Sequence, residues 1–590
     1  MRAEMDFTDD EVSEWSESDF SVRHASRAAF LIDGRMTMLE MCIRFLNARE
    51  SITIAAWGMT PELLMVRGRH QRAGEDGSPE QEELLGWLRQ KGLSAESIDF
   101  WLSGEELSVQ NVLGHMVAQG VDVRVLLWDT LSWPLQSGPA DIQAALAAVG
   151  VNCVLDNSHL TLQHPIASLH QKSIVVDERI AFVGGIDLMC ERDGDHDRWD
   201  TKGHLYNNLL RVGKDGLLAY GWHDVHLTFE GEAVVDVVTN FRQRWNAVIE
   251  RRSLDGTLMY PVVEVEADAA LAGGADIPIQ VIRTIPPQTY AFAGDEGIAT
   301  VLESYQRAFA RAKHFIYLEN QYCWRRTYLG LETPLVSLST EAMELFFQSL
   351  ADALKRGVRV VLILPDNPNV GRDFTDDGLK YLCELAPDAV AKGLLQIYTL
   401  ATSVVQSERV YYRPIYVHAK VAIIDDQWVT IGSANLNNRG MRDDAELNVV
   451  LAQPALAYGL RVLLMAEHLG LVSEDTLFRV VEEMGRSDRR ATDALIPDDD
   501  PVQVEWRNLQ AELDDPNAAS QYFVQQAQAN MAAIKRQQPL LAGHLLPYLL
   551  HNPTEEYAIE EHAIKVDAAN GWLDLLNTGE MPLDEADLVQ

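Results

Sequence analysis

The feature that most constrains the fold of this chain is an internal repeat. The segment HQKSIVVDERIAFVGGID, His170 to Asp187, aligns without gaps with HAKVAIIDDQWVTIGSAN, His418 to Asn435, at a constant offset of 248 residues. His, Lys, Asp and Gly recur in step. Because repetition in sequence reflects repetition of a structural unit, we expect two similar lobes.

Looser matches flank the repeat. ITIAAW, from Ile52, matches FIYLEN, from Phe315, and GVDVRVLLWD (120–129) matches GVRVVLILPD (357–366). Runs that are apolar on both faces are typical of strands covered by helices on each side. The predicted fold class is therefore α/β, with two lobes of mixed sheet flanked by helices and a helical C-terminal extension. The predicted divisions are an acidic N-terminal segment (1–27), a first lobe (28–255) with a surface insertion at about 68–103, a linker (256–275), a second lobe (276–475) and an acidic helical extension (476–590).

The net charge and the number and spacing of cysteines argue against several classes of protein. The chain has 88 acidic and 49 basic residues, a formal net charge of −39, which repels polyanions and argues against nucleic acid as a partner. Five scattered cysteines without CxxC spacing argue against a disulfide framework and a structural zinc site. Because no EF-hand loop or HExxH occurs either, we expect no metal and no cofactor.

The repeated motif, HxKxxxxD, carries the chemistry. Residues two apart on a strand share a face, so each His and Lys would project toward one site. Two ammonium groups can neutralise the charge that grows on a phosphodiester during displacement. One histidine must be neutral to attack phosphorus and the other protonated to release the leaving oxygen. The candidate catalytic residues are His170, Lys172, Asp177, His418, Lys420 and Asp425, of which the two aspartates are expected to brace the strands rather than touch substrate.

A carboxylate commonly fixes the tautomer and orientation of a catalytic histidine through its far ring nitrogen. Asp200 lies 30 residues after His170, and Glu446 lies 28 residues after His418. The sequence therefore predicts Asp200 as the partner of His170 and Glu446 as the partner of His418.

The repeat resembles the phospholipase D superfamily, and the wider sequence is similar to its eukaryotic-type branch. The resemblance rests on FVGGIDL, on WHDVHLTFEG followed by NFRQRW (222–245), on IYLENQY (316–322) and on GSANLNNRGMRDDAELN. It covers most of residues 28–475. It implies a bilobed pseudo-dimer with one active site between the lobes, His170 as the nucleophile that becomes phosphohistidine, and His418 as general acid and then general base.

Further residues are candidates for binding the substrate. The resemblance implies that Lys172, Lys420 and Asn435 hold the phosphate, whereas small residues after each hairpin would let backbone approach a ligand. The role of Asp187 is open, with a structural hydrogen bond as the alternative. His223 could instead be a buried, satisfied histidine, and the residues around Glu319 could simply cap the sheet. The substrate-binding candidates are Asn435, Asp187, Ser433, Gly185, Glu319, Gln321 and His223.

The resemblance implies a metal-independent phosphodiesterase that hydrolyses glycerophospholipids to phosphatidate and free headgroup, with transphosphatidylation as a further activity. Alternatives are cardiolipin synthase-like phosphatidyl transfer and a bacterial antagonistic lipase effector with an immunity or carrier protein as partner. A nuclease is disfavoured by charge, and a non-enzymatic scaffold by two complete motifs. The expected partner is membrane phospholipid, met in transient surface contact by a monomer.

The two ends of the chain give weaker indications. The first twenty residues are acidic and lack the apolar core of a signal peptide, which favours a cytoplasmic or peripherally membrane-associated protein, or an effector exported without such a signal. Plant and animal members of the branch that the chain resembles carry a calcium-dependent β-sandwich ahead of the catalytic lobes. We expect none here, which argues against calcium-regulated docking to membranes. Near the other end, LLAGHLLPYLL (540–550) is expected to be a buried helix end, with membrane contact as the alternative.

Overall fold

The computed structural model describes residues 13–71, 80–129, 138–158, 167–190, 204–205, 221–261, 277–327, 337–366, 371–406, 409–484 and 499–549. Within these ranges the predicted α/β class is confirmed. Two lobes of the same plan are followed by a mainly helical extension.

The first lobe alternates strands and helices. Its strands are β1 (Arg23–Ile32), β2 (Ser51–Ala56), β3 (Asp122–Trp128), β4 (Asn152–Asp156), β5 (Ser173–Val176), β6 (Ile180–Gly184), β7 (Trp222–His223) and β8 (Val225–Gly231). Its helices are α1 (Asp33–Asn47), α2 (Gln81–Gln90), α3 (Ala95–Leu102), α4 (Val109–Ala118), α5 (Pro139–Ala148) and α6 (Val234–Arg251). Strand β1 begins ahead of the predicted lobe boundary at residue 28.

The second lobe repeats this order. Its strands are β9 (Ile277–Ile285), β10 (Ile298–Ala299), β11 (Phe315–Asn320), β12 (Arg359–Ile363), β13 (Leu395–Gln406), β14 (Arg409–Val417), β15 (Lys420–Ile424), β16 (Trp428–Gly432) and β17 (Glu446–Leu451). Its helices are α7 (Thr300–Arg311), α8 (Glu341–Arg356), α9 (Arg372–Leu385), α10 (Pro387–Ala391) and α11 (Pro454–Leu469).

The strand order of one lobe mirrors that of the other. Hydrogen-bonded neighbours run β4-β3-β2-β5-β6-β8-β1 in the first lobe and β13-β12-β11-β15-β16-β17-β9 in the second. Strands β1 and β9 pair antiparallel, with His24 opposite Pro278, and so join the two halves into one sheet. The motif strands β5 and β15 occupy equivalent central places.

Local sequence explains how each unit is built. Helix α8 begins after Thr340, whose hydroxyl accepts a hydrogen bond from the Met343 backbone NH, and it ends at Gly357, whose φ of 98° suits glycine. The chain then enters β12, where Val360 and Leu362 are fully buried. A capped amphipathic helix is thus followed by an apolar strand, which is the order that a layered α/β fold requires.

The segment predicted as a surface insertion is more deeply integrated than expected. Helices α2 and α3 lie within it, and Leu88 and Trp101 from these helices are at most 2% exposed and belong to the main hydrophobic cluster. The Trp101 indole NH also donates to the His70 carbonyl at 2.9 Å. An amphipathic helix pair that buries large side chains stabilises the lobe rather than merely decorating it.

The C-terminal extension contains α12 (Glu474–Met484), α13 (Pro501–Glu512), α14 (Pro516–Ile534) and a short strand, β18 (Leu545–Pro547). Strand β18 adds to β13 in antiparallel pairing, and Leu545 and Leu546 are fully buried. The expectation of a buried helix end was therefore wrong, because these leucines cover a sheet edge as a strand. Among the helices of the described residues, none has the length and hydropathy of a bilayer span.

Candidate active site

The two histidines of the repeat lie at the seam between the lobes, and each is held by backbone from the opposite lobe. The backbone NH groups of His170 and Gln171 both donate to the Ala445 carbonyl at 2.9 Å. The His418 NH donates to the His223 carbonyl at 2.8 Å, where β14 and β7 pair in parallel. The sheet arrangement therefore brings both motif histidines to the same interface.

The side chains cross the seam as well. Nδ1 of His170 lies 2.9 Å from Glu446 Oε1, and Nδ1 of His418 lies 2.7 Å from Asp224 Oδ2. The predicted pairing of Glu446 with His418 was wrong, because the carboxylate of each lobe reaches the histidine of the other. Asp200, the predicted partner of His170, lies outside the described residues, and Glu446 takes that position.

The resemblance supports Asp224, in WHD, as a site residue, but sequence reasoning did not assign it to His418 although a signal was present. Strand pairing sets Gly184 opposite His226 in the first lobe and Gly432 opposite Asn448 in the second. This register makes Asp224, two residues before His226, equivalent to Glu446, two residues before Asn448. Aligning WHDVH with DAELN would have identified the pair.

Gly185 and Ser433 accommodate these carboxylates. A Cβ atom at Gly185 would lie 2.0 Å from Asp224 Oδ1, so only glycine leaves room for the carboxylate. At the equivalent position the Ser433 hydroxyl donates to Glu446 Oε2. Each of these two small residues contacts an orienting carboxylate, and their approach to a ligand stays a prediction.

The two lysines are buried and held close to their histidines. Nζ of Lys172 donates to the His170 carbonyl at 2.7 Å and lies 3.1 Å from Asp187 Oδ2. Nζ of Lys420 donates to the His418 carbonyl and, at 3.2 Å, to Gln321 Oε1. Each ammonium group is thereby fixed beside a reactive imidazole.

Asp187 and Asn435, at equivalent places in the repeat, contact different partners. Asp187 binds Lys172 and accepts a hydrogen bond from the Trp57 NH at 3.3 Å. Asn435 instead donates from Nδ2 to Gln321 Oε1 at 3.3 Å. The geometry supports the structural alternative for Asp187, whose charge is balanced by the lysine beside it.

Electrostatics distinguish His170 from an ordinary histidine. Burial lowers its pKa well below the usual value, and the positive charges of Lys172 and Lys420 lower it further. One of these lysines comes from each lobe, so both motifs act on one imidazole. A lowered pKa keeps His170 neutral, which is the state that a nucleophile requires.

The motif aspartates lie at the far ends of the motif strands. The Asp177 carboxylate accepts hydrogen bonds from the backbone NH groups of residues 49–51 at 2.7–3.0 Å. The Asp425 carboxylate likewise accepts from residues 313–315 at 2.7–2.9 Å. Both side chains brace the entry to the neighbouring strand, which is the role expected for them from the sequence.

His223 and Glu319 lie behind the site rather than in it. Both side chains are fully buried, and His223 Nε2 lies 2.8 Å from Glu319 Oε2. This geometry supports the alternative of a buried, satisfied histidine for His223, whereas substrate contact by either side chain stays a prediction. Gln321 differs, since its carbonyl oxygen accepts from both Lys420 and Asn435.

Aromatic rings that sequence reasoning did not single out line both histidines. Trp57 stacks on Trp128 with centroids 5.7 Å apart and meets His170 edge-on at 6.4 Å. Trp222 lies 4.7 Å from the His418 ring and 4.8 Å from that of Tyr416. The W of ITIAAW and the W of WHD, each adjacent to a site element, were the available signals.

Comparisons with known proteins find similarity in both halves of the chain. A family model described as phospholipase D matches residues 101–330, and one described as cardiolipin synthase, PLD-like domain, matches residues 327–464. Phospholipase D alpha 1 of Nicotiana tabacum is 24% identical over 74% of this chain and 64% of its own length. Phospholipase D A of Dictyostelium discoideum is 24% identical over 72% of this chain and 34% of its own length.

The chain thus spans less than two thirds of the length of these curated relatives. Among solved structures, the phosphatidylserine synthase of Haemophilus influenzae Rd KW20 aligns with a TM-score of 0.43 and 13% identity, over 86% of this chain and 96% of that one. The two family models, the eukaryotic relatives and the paired HxKxxxxD motifs place the chain in the phospholipase D superfamily.

Proposed function

We propose that this protein is a phospholipase D-type phosphodiesterase that hydrolyses glycerophospholipids to phosphatidate and free headgroup. The observation that carries the proposal is the crossed arrangement of His170 with Glu446 and of His418 with Asp224. Each carboxylate binds Nδ1, and we assign the chemistry to Nε2. Two imidazoles oriented in this way supply a nucleophile and a proton donor without a further group.

In the first step, Nε2 of neutral His170 attacks the phosphorus atom and forms a P–N bond. The bond from phosphorus to the headgroup oxygen breaks, and protonated His418 delivers its Nε2 proton to that oxygen. Lys172 and Lys420 neutralise charge on the phosphoryl oxygens. In the second step His418, now neutral, takes a proton from water as the water oxygen attacks phosphorus and releases His170.

The test is headgroup release from vesicles of phosphatidylcholine or phosphatidylethanolamine. We expect His170→Ala and His418→Ala to lower the rate by at least about 10³-fold while the circular dichroism spectrum stays native. A matched control is His314→Ala, whose side chain lies outside the site. Equal headgroup release by wild type and His170→Ala would exclude the assignment.

Phosphatidyl transfer to an alcohol is the second candidate, favoured by the cardiolipin synthase-like match over residues 327–464. Transfer uses the same phosphohistidine, which a lipid hydroxyl then attacks in place of water. Mass spectrometry after incubation with phosphatidylglycerol separates the two, since transfer yields cardiolipin and free glycerol, whereas hydrolysis yields phosphatidate and free glycerol.

We also propose that the physiological partner is a phospholipid surface met transiently by a monomer. Membrane contact of this kind supplies substrate without a spanning helix. An immunity or carrier protein enters only if the enzyme acts as an antagonistic effector, a role that toxicity of the enzyme, but not of His170→Ala, on periplasmic expression in a bacterium would support.

A further inference from the structure

A second cluster of ionisable side chains lies directly behind Asp224, the partner of His418. Its members are Asp33, His204, His223 and Glu467, and their side chains are at most 3% exposed. Asp33 is the first residue of α1, His223 ends β7, and Glu467 comes from α11 of the other lobe. Four ligand-bearing residues therefore meet at the lobe seam, outside the two-histidine site.

The cluster has the dimensions of a tetrahedral metal site. Nε2 of His204 lies 3.2 Å from Asp33 Oδ2 and 3.1 Å from Glu467 Oε1. Nδ1 of His223 lies 3.1 Å from Asp33 Oδ1 and 3.5 Å from Glu467 Oε2. One ligand atom from each of the four residues lies within 4.8 Å of all the others. Zinc–ligand distances of about 2.0–2.1 Å give a tetrahedral edge of about 3.3 Å, close to these separations.

Hydrogen bonding accounts for only one of these contacts, that between His204 Nε2 and Glu467 Oε1 at 3.1 Å. Within the described part of the chain, Asp33 Oδ2, His223 Nδ1 and Glu467 Oε2 make no hydrogen bond although all three atoms are buried. Buried polar atoms without hydrogen bonds are costly and rare in proteins. Lone pairs that converge without hydrogen-bonding geometry are instead what a bound cation requires.

The surrounding residues support the same interpretation. His223 uses its other ring nitrogen, Nε2, to bind Glu319, and Glu319 Oε1 accepts from Tyr317 at 2.6 Å and lies 2.8 Å from His468 Nε2. A carboxylate on the far nitrogen is the usual support of a metal-binding histidine. Because both Glu319 oxygens are engaged in this way, the site is completed by Asp33, His204 and Glu467 rather than by Glu319.

We propose that Asp33, His204, His223 and Glu467 bind one divalent transition metal ion, with zinc the best fit. When a dication is bound both imidazoles are neutral, so the two carboxylates provide a charge of −2, and the two imidazole nitrogens are ligands that calcium and magnesium disfavour. Four protein ligands leave no open position, as in structural zinc sites. The ion is therefore a clip between lobes rather than part of the phosphoryl chemistry.

The clip also bears on the active site, a consequence that rests on the proposed function. Asp33 Oδ1 accepts from the Asp224 NH at 3.0 Å, and the His223 carbonyl accepts from the His418 NH at 2.8 Å. The backbone of His418 and that of its partner Asp224 are thus each hydrogen-bonded to a proposed metal ligand, His223 and Asp33 respectively. The four ligands act here as positioning residues.

The test measures metal content of the full chain, purified, stripped with a chelator and reloaded with zinc sulfate. We expect one zinc per chain by elemental mass spectrometry and a higher melting temperature in zinc than after stripping. Reloading with cobalt(II) should give the intense visible absorption of a tetrahedral ion. Less than about 0.1 zinc per natively folded chain after reloading would overturn the proposal.

Variants locate the ion. We expect His204→Asn and Glu467→Gln to lose the bound zinc, whereas His468→Asn, which removes a neighbour that is not a ligand, retains it. Zinc retained at full stoichiometry by both His204→Asn and Glu467→Gln would also overturn the assignment. If a variant does not fold, the cobalt spectrum and zinc-dependent melting of the wild type still decide. None of these readouts depends on activity, so failure of the proposed enzyme function would be seen separately.

Discussion

At the scale of single residues, the active site depends on which carboxylate serves which histidine. Glu446 holds Nδ1 of His170, and Asp224 holds Nδ1 of His418. In the proposed mechanism the two carboxylates therefore support different steps, the attack on phosphorus and the protonation of the leaving oxygen. Their variants should differ when the leaving group changes.

We expect Asp224→Asn to slow first-turnover cleavage of phosphatidylcholine by about 10²- to 10⁴-fold. With phosphatidyl-p-nitrophenol, whose leaving group needs no proton, first-turnover release should return to within about tenfold of wild type. Glu446→Gln should remain slow with both substrates, because its histidine is the nucleophile. Rescue of Glu446→Gln, but not of Asp224→Asn, would reverse the assignment.

The lowered pKa of His170 predicts the pH profile. The nucleophile is active above its pKa, so the acid limb of kcat/KM should lie below the ordinary histidine value of about 6.5. Lys172→Met removes a positive charge that lowers this pKa. The pKa of His170 should therefore rise, and the acid limb should move to higher pH.

The control for that profile is Lys355→Met, a half-exposed lysine paired with Asp352 at 3.0 Å. Its acid limb should coincide with that of the wild type, because its charge lies at the end of α8, away from the site. An acid limb of Lys172→Met that stays in place or moves to lower pH would contradict the electrostatic account.

At the scale of elements, each motif strand ends in an aspartate that organises the start of its neighbour. Asp425 accepts three backbone hydrogen bonds where the chain enters β11, and Asp177 does the same at β2. Both residues adopt a φ of 51°, which positions the turn after the strand. The aspartate present in both copies of the repeat thus stabilises the sheet rather than taking part in the reaction.

We expect Asp425→Ala to lower the free energy of unfolding by about 1–3 kcal/mol, because backbone donors lose their acceptor. Headgroup release per folded molecule should stay within about twofold of wild type. Urea denaturation and the vesicle assay measure the two quantities. Asp352→Ala, which breaks a surface ion pair with Lys355 and a hydrogen bond from Gln348, should cost less than about 1 kcal/mol. A large loss of activity at unchanged stability would show that Asp425 acts in catalysis.

At the scale of the whole molecule, duplication and charge set the behaviour. The two halves share one sheet through β1 and β9, and each contributes one histidine, one lysine and one carboxylate to the seam. Neither lobe contains a complete site. The net charge of −39 gives the molecule as a whole a negative field.

That field predicts how the protein meets membranes. We expect phosphatidylcholine vesicles that also contain an uncleavable anionic lipid to bind the protein more weakly at about 20 mM salt. At about 300 mM salt the binding should be restored, because salt screens the charges. Vesicle co-sedimentation of His170→Ala measures binding without turnover. Stronger binding to anionic vesicles at low salt would reveal a basic docking surface that dominates over the net charge.

The duplicated α/β plan, the two HxKxxxxD motifs and the family could all be predicted from the sequence. These follow from local patterns, since apolar periodicity and residue spacing act over one element or one repeat. The sequence also favoured bracing roles for Asp177 and Asp425, because an aspartate at the end of a strand is well placed to bind nearby backbone.

Only the tertiary structure decided which side chains meet across the seam. Glu446 serves His170 from 276 residues away, and Asp224 serves His418 from 194 residues away. The cluster of Asp33, His204, His223 and Glu467 is assembled from four separate stretches and follows no metal-binding spacing. Such contacts depend on how the two lobes dock against each other. Because the whole interface sets that arrangement, no residue spacing within either lobe reveals it.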